Sequence, residues 1–324
     1  MREAMQHDVT LDRLFGALPE LAELASLRSA LLSASLVDLT REWSGSSTYA
    51  TYDKRVVPPQ AIERAVSSAA QRAHARVNQM YDALRRVLVA LSANAPDQAA
   101  LELLSAGEQL EGEDYPGAIA WYLAAERLAA QAGNHAVRSR ALRSRAMLHL
   151  GAGATEDATT CYRASLEQAV AANDREGQVV AITGLGIVAG YQGRKHEALA
   201  CFEDALQACG TEYPRRRAQL FTNMAAMLSE KGEHEVASAR LAEASAFWSH
   251  LTEADRCGWY NSRGLLALSR GEIEMAESNF HQALAAAHSE FERAMVLDNL
   301  AELFVQQGNL SEAEALARSA EEAA

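Results

Sequence analysis

The chain has few residues that interrupt helices. Of its 324 residues only 6 are proline and 19 are glycine. Aromatic residues make up 6%, and β-branched residues rarely cluster, so few stretches suit a strand. Nowhere do 18 or more apolar residues run uninterrupted, so no membrane-spanning helix is expected. Met1 to Arg13 are polar and mixed in charge, without the apolar centre of a signal peptide. The four cysteines (Cys161, Cys201, Cys209 and Cys257) show no CxxC spacing. Cys161 and Cys201 fall at the same place in consecutive repeats and read as small buried apolar residues. A reduced, cytoplasmic protein is expected. The chain is also short of positive charge: 30 basic against 43 acidic residues give a formal net charge of -13. Such a field repels phosphate backbones, so nucleic acid is not expected as a ligand, local basic patches aside.

Motifs of catalysis are missing as well. There is no GxxxxGK[ST], HExxH, GxSxG or EF-hand loop, and no helix-turn-helix segment stands out. The nine histidines are scattered. His281 and His288, seven apart, suit one helix face, but two histidines make no metal site. No base, nucleophile and orienting group converge. The expectation is a non-enzyme with no cofactor and no metal.

Alanine and leucine dominate what remains, and both favour helix. A frame of two helices joined at a glycine recurs along the chain. LGIVAGYQGRKHEALACFEDAL, Leu185 to Leu206, turns at Gly193. Met224 to Ala244 turns at Gly232, Arg263 to Leu284 at Gly271, and Leu300 to Ala320 at Gly308. Upstream, Ala146 to Leu166 turns near Gly153, and Ala106 to Ala125 near Glu113 and Asp114. The alanine opening each second helix falls at Ala118, Ala158, Ala198, Ala237, Ala276 and Ala313. A small residue faces it from the first helix: Ala106, Ala146, Gly186, Ala225, Gly264 or Ala301. Small side chains there let helix axes approach to about 8–10 Å. Tyr122, Tyr162, Phe202, Leu241 and Phe280 fill the space behind, with Ala317 in the last unit. The turn glycines suit helix ends where φ is positive.

This pattern resembles the tetratricopeptide repeat, over roughly residues 97–324. The resemblance implies an all-α, right-handed superhelix of about six helix pairs. The usual unit has 34 residues and this one has nearer 40, as in kinesin light chains, spindle-orientation adaptors and bacterial peptide-sensing regulators. Those proteins bind peptide segments along the inner groove. The function implied is therefore a protein–protein interaction scaffold or adaptor that takes an extended peptide.

Residues 1–96 lie outside the frame and form a separate N-terminal helical region. Thr10 to Leu18 and Pro19 to Trp43 suit two amphipathic helices, and Ser44 to Asp53 a linker. Pro58 and Pro59 open a long helix with the stripe Ile62, Val66, Ala69, Ala73, Val77, Met80, Leu84, Val87 and Leu91. Its steps of three and four approach a heptad seam. A cap on the first repeat, in a monomer, is the expectation. The alternative is a dimer seam, which would make the protein a regulatory or oligomerisation subunit acting through these helices.

By the resemblance, first helices line the groove. Asn223, Asn261 and Asn299 lie on them. Asn223 and Asn299 share one frame position and Asn261 falls one residue earlier. An asparagine amide donates and accepts at once, so it suits the backbone of an extended peptide. The alternative is that the asparagines cap helices or face water. RSRALRSR, Arg138 to Arg145, puts Arg140 and Arg143 on one face. They suit an acidic side chain or a C-terminal carboxylate on a protein or peptide partner. The alternative is an internal ion-pair network with glutamates such as Glu108 or Glu126. Arg145 and Arg263 stand where leucine or methionine is usual, and each needs a carboxylate or an exit to water.

Overall fold

The computed structural model describes residues 82–83, 86–87, 89–91, 93–110 and 115–323. All the regular structure among them is helical. Twelve α-helices follow in chain order: α1 (Pro96–Leu110), α2 (Tyr115–Ala132), α3 (His135–Gly151), α4 (Thr155–Ala171), α5 (Arg175–Tyr191), α6 (Lys195–Cys209), α7 (Pro214–Glu230), α8 (His234–Ser245), α9 (Glu253–Ser269), α10 (Ile273–Ala286), α11 (Glu290–Gln306) and α12 (Leu310–Ala323). They form six successive pairs, each made of an odd-numbered first helix and an even-numbered second. The N-terminal helices, the linker, the turn at Glu113 and Asp114 and most of the heptad-like stripe lie outside the described residues. Of that stripe, Val87 is buried and Leu91 half-buried.

The chain divides into two compact units, Met1–Val137 and Arg138–Ala324. The first contains α1 and α2. There a Cβ on Gly107 would sit 2.5 Å from Tyr122 Cε1, so only glycine admits the tyrosine ring. The second unit holds most of α3, all of α4 and the four pairs from α5 to α12.

The alanine frame is the packing frame. Ala118, Ala158, Ala198, Ala237, Ala276 and Ala313 are all buried, and so are Tyr122, Tyr162, Phe202, Leu241 and Phe280. Ala317 is only half-buried, in the last helix. One turn closes the first helices. Gly193 takes φ +72°, its N–H donates to Gly190 O at 2.8 Å, and the Arg194 N–H donates to Ala189 O at 2.8 Å. These two bonds satisfy carbonyls that the helix end would leave open. The same pair of bonds recurs at Gly153, Gly232, Gly271 and Gly308.

In the second unit α5 touches α7, α7 touches α9, and α9 touches α11, so first helices stand in a row. Each second helix meets the next first helix. A buried polar contact between α3 and α4 is reciprocal: Ser139 Oγ donates to Ser165 O at 2.9 Å, and Ser165 Oγ to Ser139 O at 2.9 Å. Burial without such partners would cost about 1–3 kcal/mol per group.

Between α8 and α9 a short 3₁₀ turn, Trp248–His250, carries an aromatic cluster. Trp248, Trp259 and Tyr260 meet edge to face, with ring centroids 5.2–5.7 Å apart, the arrangement that ring quadrupoles favour. Arg263 is exposed and lies over the Trp259 ring at 5.4 Å. It thus solves its unusual position by leaving for water along an aromatic face.

The first turn of α9 is tied to α7. Thr252 and Asp255 form a capping box, and Arg215 Nε donates to Asp255 Oδ2 at 2.6 Å. Burial pushes the Asp255 carboxyl up. Hydrogen bonds from Arg215, Thr252 and Gln219 outweigh it and hold the group below its ordinary value. The charged form is therefore the native one. Its stabilisation is complete above the unfolded value, about 3.9, and is lost as pH falls through the folded value. Asp255→Asn is expected to cost about 1–2 kcal/mol at pH 7, and the gap from the unchanged protein should narrow as pH falls through the folded value. Urea unfolding at pH 7 and in acid checks this; equal stability at pH 7 would mean that Asp255 does not tie α9 to α7.

Candidate functional site

The row of first helices in the second unit carries every residue singled out for binding. Arg140 is exposed and Arg143 half-buried on α3. Burial lowers the pKa of Arg143, and the charges of Arg216 and Arg140 lower it further. Arg216 belongs to α7, two places along the row. Its charge nevertheless acts on Arg143 across α5. Among the described residues no carboxylate forms an ion pair with Arg143. The acid that acts on it, Asp174, is already engaged, accepting from the Gly177 N–H at 2.9 Å as the cap of α5. The Tyr162 phenol also lies in reach of Arg143. Arg216 is occupied, donating to Glu176 Oε1 at 2.9 Å and to Gln219 Oε1 at 2.9 Å.

The asparagines divide. Asn299 Nδ2 donates to Asn261 Oδ1 at 2.8 Å, joining α11 to α9. That bond keeps the Asn299 carbonyl oxygen and the Asn261 amide hydrogens available for a ligand. Asn261 is buried and orients the half-buried Asn299. Asn223 on α7 is half-buried and has no hydrogen-bond partner among the described residues. The shared frame position of Asn223 and Asn299 does not bring them together; the one-residue offset of Asn261 does not keep it from Asn299.

Apolar side chains show on the same row. Met147 on α3 and Tyr191 on α5 are each 57% exposed. Burial raises the Tyr191 phenol, and the Asp298 carboxylate on α11 raises it further. The Asp298 charge thus acts on Tyr191 although α7 and α9 stand between their helices. The sequence frame passed over Tyr191 and Asp298, because each is ordinary in its own repeat.

No group of three metal-binding side chains occurs among the described residues. His288 falls beyond the end of α10, in the link before α11, so it does not share a helix face with His281. All four cysteines are free, and burial pushes the Cys257 thiol up to about 11. Among the described residues no helix is long and apolar enough to cross a membrane.

Residues 138–211, from α3 to the link after α6, match the family model of the tetratricopeptide repeat. No curated protein matches the chain in sequence. Solved structures do resemble it. A Rap protein complexed with competence and sporulation factor is 14% identical, with 98% of each chain covered and a TM-score of 0.59. Aspartyl phosphate phosphatase F from Bacillus subtilis is 11% identical, over 87% of this chain and 79% of that one, with a TM-score of 0.59. The apo form of the quorum sensor NprR from B. thuringiensis is 14% identical, over 95% and 98%, with a TM-score of 0.52. The fold is thus an all-α array of tetratricopeptide-type helix pairs, as the alanine spacing implied.

Proposed function

We propose that the first-helix face of the second unit binds an extended peptide segment of a partner protein, which makes the chain an interaction scaffold or adaptor. The observation that carries this reading is Arg143. A guanidinium partly withdrawn from water, beside two like charges and without an ion-pair partner among the described residues, is an arrangement that an anionic ligand would relieve. Arg140 adds an exposed charge three residues away. Asn223, Asn299 and the Asn261 that orients Asn299 offer amides to a peptide backbone. Met147 and Tyr191 offer apolar area beside them. The Rap structure similar to this chain holds competence and sporulation factor, which lends the reading support. The proposal is of binding rather than catalysis.

The test is selection of random decapeptides on the full chain, followed by titration of the tightest. Each backbone hydrogen bond contributes a net of about 0.5–1.5 kcal/mol. Asn223→Ala/Asn299→Ala should therefore weaken binding by roughly tenfold, and by a similar factor for peptides of unrelated sequence. Unchanged affinity in that variant and in Arg140→Ala/Arg143→Ala, with the helical circular dichroism intact, would place the binding surface elsewhere.

A further inference from the structure

The charges along the first-helix row are sorted. Measured from the small residue of each frame, the face-lining positions of α3 hold Arg140 and Arg143. Those of α5, α7 and α9 hold uncharged residues, among them Thr183, Ile187, Asn223, Ala226, Asn261 and Leu265, and Arg216 at the start of α7 is already paired with Glu176 at 2.9 Å. Those of α11 hold Asp298 and Glu302. Glu230, at the far end of α7, is already paired with Lys195 at 2.8 Å. Asp298 and Glu302 are exposed and have no ion-pair partner among the described residues. The row is positive at one end, neutral and amide-bearing in the middle, and negative at the other.

We propose that this face reads the polarity of its peptide: the segment lies with an acidic end on α3, at Arg140 and Arg143, and a lysine or arginine at α11, against Asp298 and Glu302. The inference rests on the reading of the face as a peptide-binding surface. Charge complementarity at the two ends fixes direction, because a reversed segment sets like charges against each other at both. The uncharged middle adds affinity without preferring either direction, since backbone amides are paired in either sense. The chain as a whole is acidic, so a purely acidic segment meets general repulsion, whereas one with a basic end is drawn to α11. Helix axes about 8–10 Å apart over the four steps from α3 to α11, and extended chain at ~3.3–3.6 Å per residue, set the segment at roughly nine to twelve residues.

The experiment is mRNA display of random decapeptides between neutral linkers, selected on the full chain and on the charge-reversed Asp298→Lys/Glu302→Lys. On the unchanged chain, Asp and Glu should enrich toward one end and Lys and Arg toward the other, always in the same order. On the reversed variant the basic preference should turn acidic while the opposite end keeps its acids. A peptide selected on the unchanged chain should lose about tenfold in affinity for it. Asp298→Asn/Glu302→Gln, which adds no charge, should abolish the basic preference and serves if the lysine variant misfolds. Enrichment of acids alone, or of both charge orders equally, would overturn the polarity and leave peptide binding standing. No enrichment, or enrichment indifferent to the arginine and asparagine variants, would overturn peptide binding itself and the polarity with it.

Discussion

Arg140→Ala/Arg143→Ala is expected to weaken binding of a selected decapeptide with an acidic end by well over tenfold, while the fold holds. The two arginines differ in what they contribute. Arg140 is exposed, and an exposed ion pair contributes only about 0.2–1 kcal/mol. Arg143 is half-buried, and a charge-assisted hydrogen bond there contributes about 1.5–3 kcal/mol. Together they exceed the ~1.4 kcal/mol of a tenfold change. Salt should separate them, since screening at 0.15 M acts over about 8 Å in open solvent and much less inside a protein. The Arg140→Ala loss should shrink as salt rises, and the Arg143→Ala loss should persist. Arg143→Lys should not restore affinity, because an ammonium cannot make the planar two-point contact of a guanidinium. Stability gives an independent readout. Removing a partly buried charge that lacks an ion-pair partner should leave the melting temperature unchanged or raise it. A steep fall in melting temperature with unchanged affinity would make Arg143 a structural residue, and the face would lose its anchor.

Why this site was only half legible in the sequence follows from what a period can see. Spacing compares residues at the same place in successive repeats, so it found the ruler alanines, their aromatic fillers and the turn glycines, which all do the same work in each pair. It is blind to contacts between unlike places. Arg143 and Arg216 lie in different repeats and at different frame positions, yet the charge of one acts on the other. Tyr191 and Asp298 are the same case over a longer separation. The Asn261–Asn299 bond escaped for another reason. One residue of offset turns a side chain by roughly 100° about the helix, which argues against shared function in the frame. Two amide side chains on neighbouring helices are long enough to meet in spite of it. Gly184 shares the frame position of Asn223 and Asn299 and carries no side chain to compare. It is the seat of the Tyr162 ring from the preceding second helix, a contact between pairs that no single repeat reveals.

That seat yields the largest expected effect on stability. Gly184 and Gly186 stand two residues apart on α5, so they point to opposite sides of the helix. A Cβ on Gly184 would lie 2.2 Å from Tyr162 Cε1, behind α5, and one on Gly186 would lie 2.6 Å from Phe202 Cε1, ahead of it. Both rings are buried, with relative exposures of 3% and 2%, and neither can retreat into solvent. Helix propensity argues the other way, since alanine is favoured over glycine by about 0.8–1.0 kcal/mol. Overpacking at about 1–3 kcal/mol outweighs it. Gly184→Ala and Gly186→Ala should therefore destabilise, and the corresponding leucine variants should destabilise further. For 150–250 residues, each kcal/mol moves the melting temperature by about 2–4 °C. Gly258 on α9 supplies the control, because a Cβ there meets nothing within 4 Å. Gly258→Ala should raise the melting temperature by a few degrees, on propensity alone. Thermal unfolding of the three alanine variants thus tests a sign rather than a size. If all three rise together, propensity governs these helices and the close approach of α5 to α4 and α6 is misplaced. If Gly184→Ala and Gly186→Ala fall while Gly258→Ala rises, α5 is held between two buried rings. The row that carries Arg143, Asn223 and Asp298 then has a fixed spacing on which a peptide face can be built.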